Sequence, residues 1–216
     1  TGSAFSHYRT IEEIDKYRAQ LQEGNPAELW EARGETLWKT KRGSKGASLE
    51  QCDLGKGPGV LEGVYAELPR YFADAAKVMD IEGRIVHCMI TLQGFRFEEL
   101  ARQPFSDAKR TPEVVSLVTY VAGQSRDMPI AVPQSHARER ETYKLGEAIF
   151  FHRAGPWDFS CASCHGEDGK RIRTQNLPNF THPATAPRGF IGWPGYRMTG
   201  GLMHTLQWRM NDCFRQ

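Results

Sequence analysis

Two thiols and an imidazole stand together at Cys161-Ala162-Ser163-Cys164-His165, and that spacing is the one used for covalent c-type haem attachment. Each residue type has a task. The two cysteines add across the vinyl groups of the porphyrin, and the next residue is held at the ring face, where its imidazole binds iron. Gly166 follows and lets the chain turn beneath the ring. A thioredoxin-like redox pair and half of a zinc site are the other chemistries open to such a pair. Zinc needs two further ligands at matching spacing, and the chain has no second C-x-x-C. A thioredoxin motif follows a β-rich stretch, whereas the residues before Cys161 read as helical. The motif therefore predicts one covalent haem c anchored on Cys161 and Cys164, with His165 on the iron. Attachment of this kind takes place outside the cytoplasm. It predicts a periplasmic protein in mature form, since Thr1 to Ala4 begin no basic and then apolar leader.

The composition agrees with a globular protein. The 216 residues carry 28 Lys+Arg against 26 Asp+Glu, a net charge of +2, which excludes a general nucleic-acid binder. With 39% hydrophobic and 25% charged residues the chain is not of disordered type. It has no apolar run of about 18 residues that would span a membrane.

The chain repeats itself. Leu145-Gly146-Glu147-Ala148-Ile149-Phe150 before the haem motif resembles Arg33-Gly34-Glu35-Thr36-Leu37-Trp38, an offset of 146 − 34 = 112. At that offset Cys164 falls on Cys52, Cys161 on Leu49 and His165 on Asp53. The earlier copy keeps one cysteine and lacks the other thiol and the iron ligand. Leu68-Pro69-Arg70-Tyr71 loosely echoes Leu177-Pro178-Asn179-Phe180, and Arg84 to Cys88 matches Arg209 to Cys213, each an Arg four residues before a Cys.

The elements that must position these residues read as mostly α. Thr10-Ile11-Glu12-Glu13 is a capping box, followed by a partial stripe of Ile11, Ile14 and Leu21. Asn25-Pro26-Ala27-Glu28 starts another helix with Pro at its first position. Ala27 to Trp38 and Arg140 to His152 are the equivalent helices of the two copies. Gly34 and Gly146 sit within them at a cost of about 1 kcal/mol against Ala, which suits points of close helix crossing. From Thr111 to Met128, with Pro112 at the start, Val114, Leu117, Val118 and Val121 form an apolar face expected to cross the Gly34 helix. Strand signals are weak, and Gly/Pro-rich loops are abundant. The fold expected is two tandem cytochrome c-like domains: a haem-less one at 1–133, with an N-terminal extension, and a haem-binding one at 134–216. The linker is Met128 to about Arg138. The first copy continues about 40 residues past Cys88 to its closing helix, and the second has no counterpart after Cys213. That predicts an unpartnered Gly146 helix and a native chain that extends further.

Cys52 and Cys88 occupy places at the two faces of a haem that the first copy lacks. In an oxidising compartment they are expected to form a disulfide, the alternative being two buried free thiols. Closing that loop is worth roughly 4 kcal/mol by chain entropy. For the far side of the second copy's iron, Met198, Met203, His204, Met210 and Cys213 are the candidates. Methionine is the usual choice in an electron carrier. The repeat favours Cys213, the counterpart of Cys88. Arg209 shares a helical face with Cys213, where a cation lowers a thiol pKa and can hold an oxyanion. His7, His87, His136, His152 and His182 read as surface or packing residues, and His204 leans the same way.

The runs Cys161 to Gly166, Arg173-Thr174-Gln175-Asn176-Leu177-Pro178 and Arg209 to Cys213 together resemble the SoxA family, the larger subunit of the SoxAX cytochrome of bacterial thiosulfate oxidation. The resemblance covers essentially the whole chain, and the loss at Leu49 and Asp53 makes it similar to the one-haem form. It implies that His165 and Cys213 are the axial ligands, that Cys213 is carried as a persulfide, and that Arg209 binds substrate. It also implies an L-cysteine S-thiosulfotransferase. Thiosulfate, oriented by Arg209, meets the Cys213 sulfur and passes to a cysteine of the SoxYZ carrier protein, while two electrons leave through haem to the SoxX subunit of a heterodimer. Two other functions fit the motif: a plain His/Met electron-transfer cytochrome, and a non-catalytic structural subunit.

Overall fold

The computed structural model describes residues 24–101, 113–172 and 175–214, together with Lys16. The Thr10-to-Glu13 capping box with its stripe, the Pro112 helix start, His7 and the Arg173-Thr174 pair lie outside the described residues.

Helix α1 spans Ala27–Lys39. Asn25 Oδ1 accepts from the Ala27 N–H at 3.0 Å, and Pro26 already has a helical φ of −54°, so the cap and the proline act as the sequence suggests. Further on come α2 (Ile81–Cys88), the short α3 (Phe97–Ala101) and α4 (Glu113–Gly123). Gly34 is what lets α1 and α4 touch. A Cβ there would lie 2.0 Å from the Ser116 carbonyl oxygen, an atom of the facing backbone. Leu117, Val118 and Val121 of α4 are fully buried at this crossing, with Val114 half-buried beside them. The helix ends at Gly123 rather than at Met128, because the apolar pattern gives way to Gln124-Ser125-Arg126-Asp127, which runs as turns. Cys52 and Cys88 form a disulfide, with Cα atoms 5.8 Å apart. It lies inside the core with Leu49, Leu54, Ile85 and Met89.

Helix α5 spans Ala137–Phe151, starting three residues before the expected Arg140. The reason is a cap made by an imidazole. His136 Nδ1 accepts from the Arg138 N–H at 3.1 Å, and the Glu139 carboxylate accepts from the His136 N–H at 3.0 Å. The same carboxylate takes the Tyr71 N–H, and the Tyr71 ring stacks on His136 with centroids 3.8 Å apart. Helix α6 is Cys161–His165 and α7 is Leu206–Phe214. Strands among the described residues are confined to three antiparallel ribbons. These pair β1 (Arg70–Phe72) with β2 (Lys77–Met79), β3 (Arg171–Ile172) with β4 (Gln175–Asn176), and β5 (Gly195–Arg197) with β6 (Leu202–His204).

The elements recur in register. An Arg42–Ala47 bridge follows α1 and an Ala154–Phe159 bridge follows α5, each 112 positions on (154 − 42 and 159 − 47). Ribbon β1/β2 and helix α2 return as ribbon β5/β6 and helix α7 at a constant shift of 125 (195 − 70, 202 − 77, 206 − 81). Arg84 and Cys88 thereby correspond to Arg209 and Cys213.

Burial is divided unequally between the halves. Among the described residues, the buried hydrophobic side chains lie between Trp38 and Val121, with the single exception of Met203. Large apolar side chains of the later half stand exposed, Leu145, Ile149, Phe151, Trp157, Phe159 and Ile191 among them. Around Gly146 a Cβ would meet nothing within 4 Å. No described helix is long and apolar enough to cross a membrane.

The two glycines are therefore expected to respond differently to the same change. Gly34→Ala forces α1 from α4 and should lower stability by roughly 1–3 kcal/mol, read from guanidinium unfolding. Gly146→Ala should be neutral or slightly stabilising, since only helix propensity changes. Equal effects at both positions would contradict the crossing.

Candidate functional site

Ser160 sets the start of α6, and with it the direction of both thiols. Its Oγ accepts from the Ser163 N–H at 3.2 Å, while the Ser163 hydroxyl accepts from the Ser160 N–H at 3.0 Å. Cys161 and Cys164, three apart on this one-turn helix, share a face. His165 ends the helix with its ring fixed on both sides. Its Nδ1 lies 2.8 Å from the Pro178 carbonyl oxygen, which can only accept, so Nδ1 carries the proton and Nε2 keeps its lone pair. The ring stacks on Phe180 at 4.2 Å and 2°, and the Phe180 N–H donates to the His165 carbonyl. Gly166 has an ordinary φ, as its N–H donates to Ala162. Its smallness matters for space instead, since a Cβ would come within 2.7 Å of the Ala162 carbonyl oxygen.

Helix α7 brings the second set of residues. Thr205 caps it, with Oγ1 accepting from the Trp208 N–H at 3.2 Å. Arg209 holds Asp212 at 3.3 Å, and Cys213 is exposed near the end of the helix. Burial pushes the Cys161 thiol up, and Cys213 and then Cys164 push it further. The other ligand candidates stand differently. Met203 is buried within its ribbon, Met198 and Met210 are exposed, and His204 stacks on Trp208 with centroids 3.8 Å apart. Burial and then Arg197 hold the His204 imidazole below its ordinary value, so it is neutral at pH 7.

These residues fit a c-type haem. Two thiols on one helical face and an imidazole whose Nδ1–H is committed to a backbone carbonyl are the donor set, and that second hydrogen bond fixes which nitrogen faces a metal. The exposed Phe151, Trp157, Phe159 and Ile191 supply the apolar surface that a porphyrin would cover. At the corresponding places of the earlier half, Leu49 is fully buried. Asp53 Oδ1 there accepts from the Gly55 and Gly57 N–H groups at 2.6 and 2.9 Å, closing a loop. Arg84, the counterpart of Arg209, is buried and committed to the Asp53 carbonyl and to Asp74. The Pro178 carbonyl and the Phe180 ring are site residues that spacing did not single out; the expected echo of Leu68-Pro69-Arg70-Tyr71 at Leu177 to Phe180 falls instead on Trp193-Pro194-Gly195-Tyr196, because the ribbons recur at a shift of 125.

Comparison with known proteins locates this arrangement. The SoxA/TsdA cytochrome c domain matches residues 33–130. The L-cysteine S-thiosulfotransferase subunit SoxA of Hydrogenophilus thermoluteolus is 46% identical over 206 residues, 95% of this chain and 75% of that protein. A subunit of the same name from Hydrogenobacter thermophilus is 32% identical over 192 residues, 88% of this chain and 68% of that one. The crystal structure of SoxXA from P. pantotrophus superposes with a TM-score of 0.68 at 26% identity, covering 88% of this chain and 65% of the matched chain. The chain thus spans about two thirds to three quarters of the length of these relatives.

If the later half lacks a protein core of its own, protein made without haem should be cut readily within 137–214, while the disulfide-centred part resists. Limited proteolysis read by mass spectrometry tests this, and even resistance across both halves would contradict it.

Proposed function

The chain belongs to the SoxA family, and from that premise we propose that it works as an L-cysteine S-thiosulfotransferase subunit that joins thiosulfate to a cysteine of a carrier protein. The observation that carries this reading is the placement of α7. It carries Arg209 one turn before Cys213 on the same helix, and Cys213 is among the groups that push the Cys161 thiol up.

Cys161 and Cys164 would hold one haem c through thioethers, and His165 Nε2 would bind its iron. Bound there, the haem supplies a redox centre beside the reacting sulfur. Cys213, carried as a persulfide, would be the second residue to hold the iron. Arg209 orients the dianion, its guanidinium held by Asp212 and directed at the sulfonate oxygens by paired hydrogen bonds. Overall, a carrier thiol and thiosulfate form one S–S bond, releasing one proton and two electrons. A SoxX-type cytochrome subunit receives the electrons, and a SoxYZ-type carrier provides the thiol. The reading places the protein in the periplasm.

Two tandem cytochrome c-like units, 1–133 without haem and 134–216 with one, are part of the same reading. It is supported by the recurrence of bridge, ribbon and helix at fixed offsets. A disulfide and a packed leucine stand in the earlier unit at the places that correspond to Cys164, Cys213 and Cys161.

Cys213→Ser should abolish thiosulfate-dependent turnover while the covalent haem remains, as measured by carrier-conjugation assay and haemochrome spectrum. Retained turnover would leave Cys213 a structural residue. Arg209→Ala should raise the KM for thiosulfate by about tenfold, equivalent to ~1.4 kcal/mol of lost anion binding. An unchanged KM would remove Arg209 from the substrate site.

A further inference from the structure

Helices α2 and α7 begin at equivalent places, and their beginnings meet. Thr205 caps α7, and its hydroxyl acts on the Glu82 carboxyl in the first turn of α2, opposing the effect of burial there. Gln207 in the first turn of α7 donates from Nε2 to Asp80 Oδ2 at 2.8 Å. Asp80 is in turn the cap of α2, its Oδ1 accepting from the Gly83 N–H at 2.7 Å. At the shift of 125, Asp80 corresponds to Thr205 and Glu82 to Gln207 (205 − 80, 207 − 82). Each cap is therefore gripped by the first-turn residue of the other helix, which is the reciprocal pattern of a two-fold contact.

The contact is buried and short of protons. Glu82 is 8% exposed and Thr205 1%, and the Gln207 Oε1 atom is buried without a hydrogen-bond partner. Two carboxyl groups share this space, and like charges at such range disfavour double ionisation.

We propose that Glu82 is a positioning residue for the reaction centre: buried beside the Thr205 cap, where Gln207 joins α7 to the Asp80 cap of α2, it seats the start of α7, and so places Arg209 and Cys213. The inference rests on the roles given to those two residues above. Burial pushes the Glu82 carboxyl up to about 7, Asp80 adds to the rise, and the Thr205 hydroxyl opposes it. The other titratable group facing the pair is Tyr65, whose phenol is raised by burial and then by Glu82 and Asp80. His204, next to Thr205, responds to Arg197 and Asp212 instead. A carboxyl raised by folding contributes stability that is fully present below its ordinary value near 4.5 and is lost as pH rises through about 7. Above that pH, Asp80 and Glu82 are both anionic and the junction loosens.

Hydrogen exchange of residues 206–214 in the holoprotein, corrected for intrinsic rates, tests the seat directly. Protection in the wild type should fall about tenfold from pH 6 to pH 8, the factor expected one unit above the midpoint of a single linked ionisation. Glu82→Gln keeps an acceptor for Thr205 and carries no charge, so its protection should stay level and its turnover should lose the ionisation near 7. Asp80→Asn, which keeps a cap on α2, should flatten the fall as well and serves if the Gln variant assembles poorly. Wild-type pH dependence persisting in both variants would overturn the proposal. Loss of that dependence in exchange with an unaltered pH profile of turnover would overturn the link to Arg209 and Cys213. Turnover by Cys213→Ser would instead refute the assigned chemistry, leaving the exchange result as it stands.

Discussion

Apolar surface without a matching protein interior is the constraint on which this molecule depends. Residues from Trp38 to Val121 close a core around a disulfide, whereas the later half, built from the same order of elements, buries little besides Met203 and leaves aromatic and aliphatic side chains open. Hydrophobic burial is the main driving force for a stable fold, and a porphyrin held as proposed on Cys161 and Cys164 would cover part of the surface that the later half leaves open. In the proposed reading the prosthetic group is as much structure as chemistry, while the earlier half is held by a covalent link between Cys52 and Cys88 and a packed Leu49.

In the duplication proposed above, one arginine-and-cysteine pair serves two ends. Arg84 and Cys88 are buried, one braced on Asp53 and Asp74, the other in a disulfide. Arg209 and Cys213 keep the same helical spacing but stand half-buried and exposed. The same local geometry is locked in one half and left available in the other. The junction of α2 with α7 joins the two, so the rigid half sets where the reactive helix begins.

Much of this was legible in the residues. The haem motif, the disulfide partners and the Gly34 crossing follow from cysteine spacing and from one glycine in an apolar helix. The constant shift of 125 was read at Arg84 and Cys88 but missed at Pro69 and Tyr71, which recur as Pro194 and Tyr196. The ribbons that complete it are three residues per strand, too short for alternation to declare them. The start of α5 was misplaced because its cap is the His136 ring rather than a hydroxyl or carboxylate. Pro178 and Phe180 orient His165 through a carbonyl oxygen and a ring face, contacts made across 13 and 15 residues that no local pattern encodes.

Electron paramagnetic resonance of the oxidised holoprotein tests the central claim most directly. An iron held between His165 and the Cys213 sulfur should give a low-spin histidine–thiolate signal that Cys213→Ser abolishes. A histidine–methionine signal that survives this substitution would contradict the account.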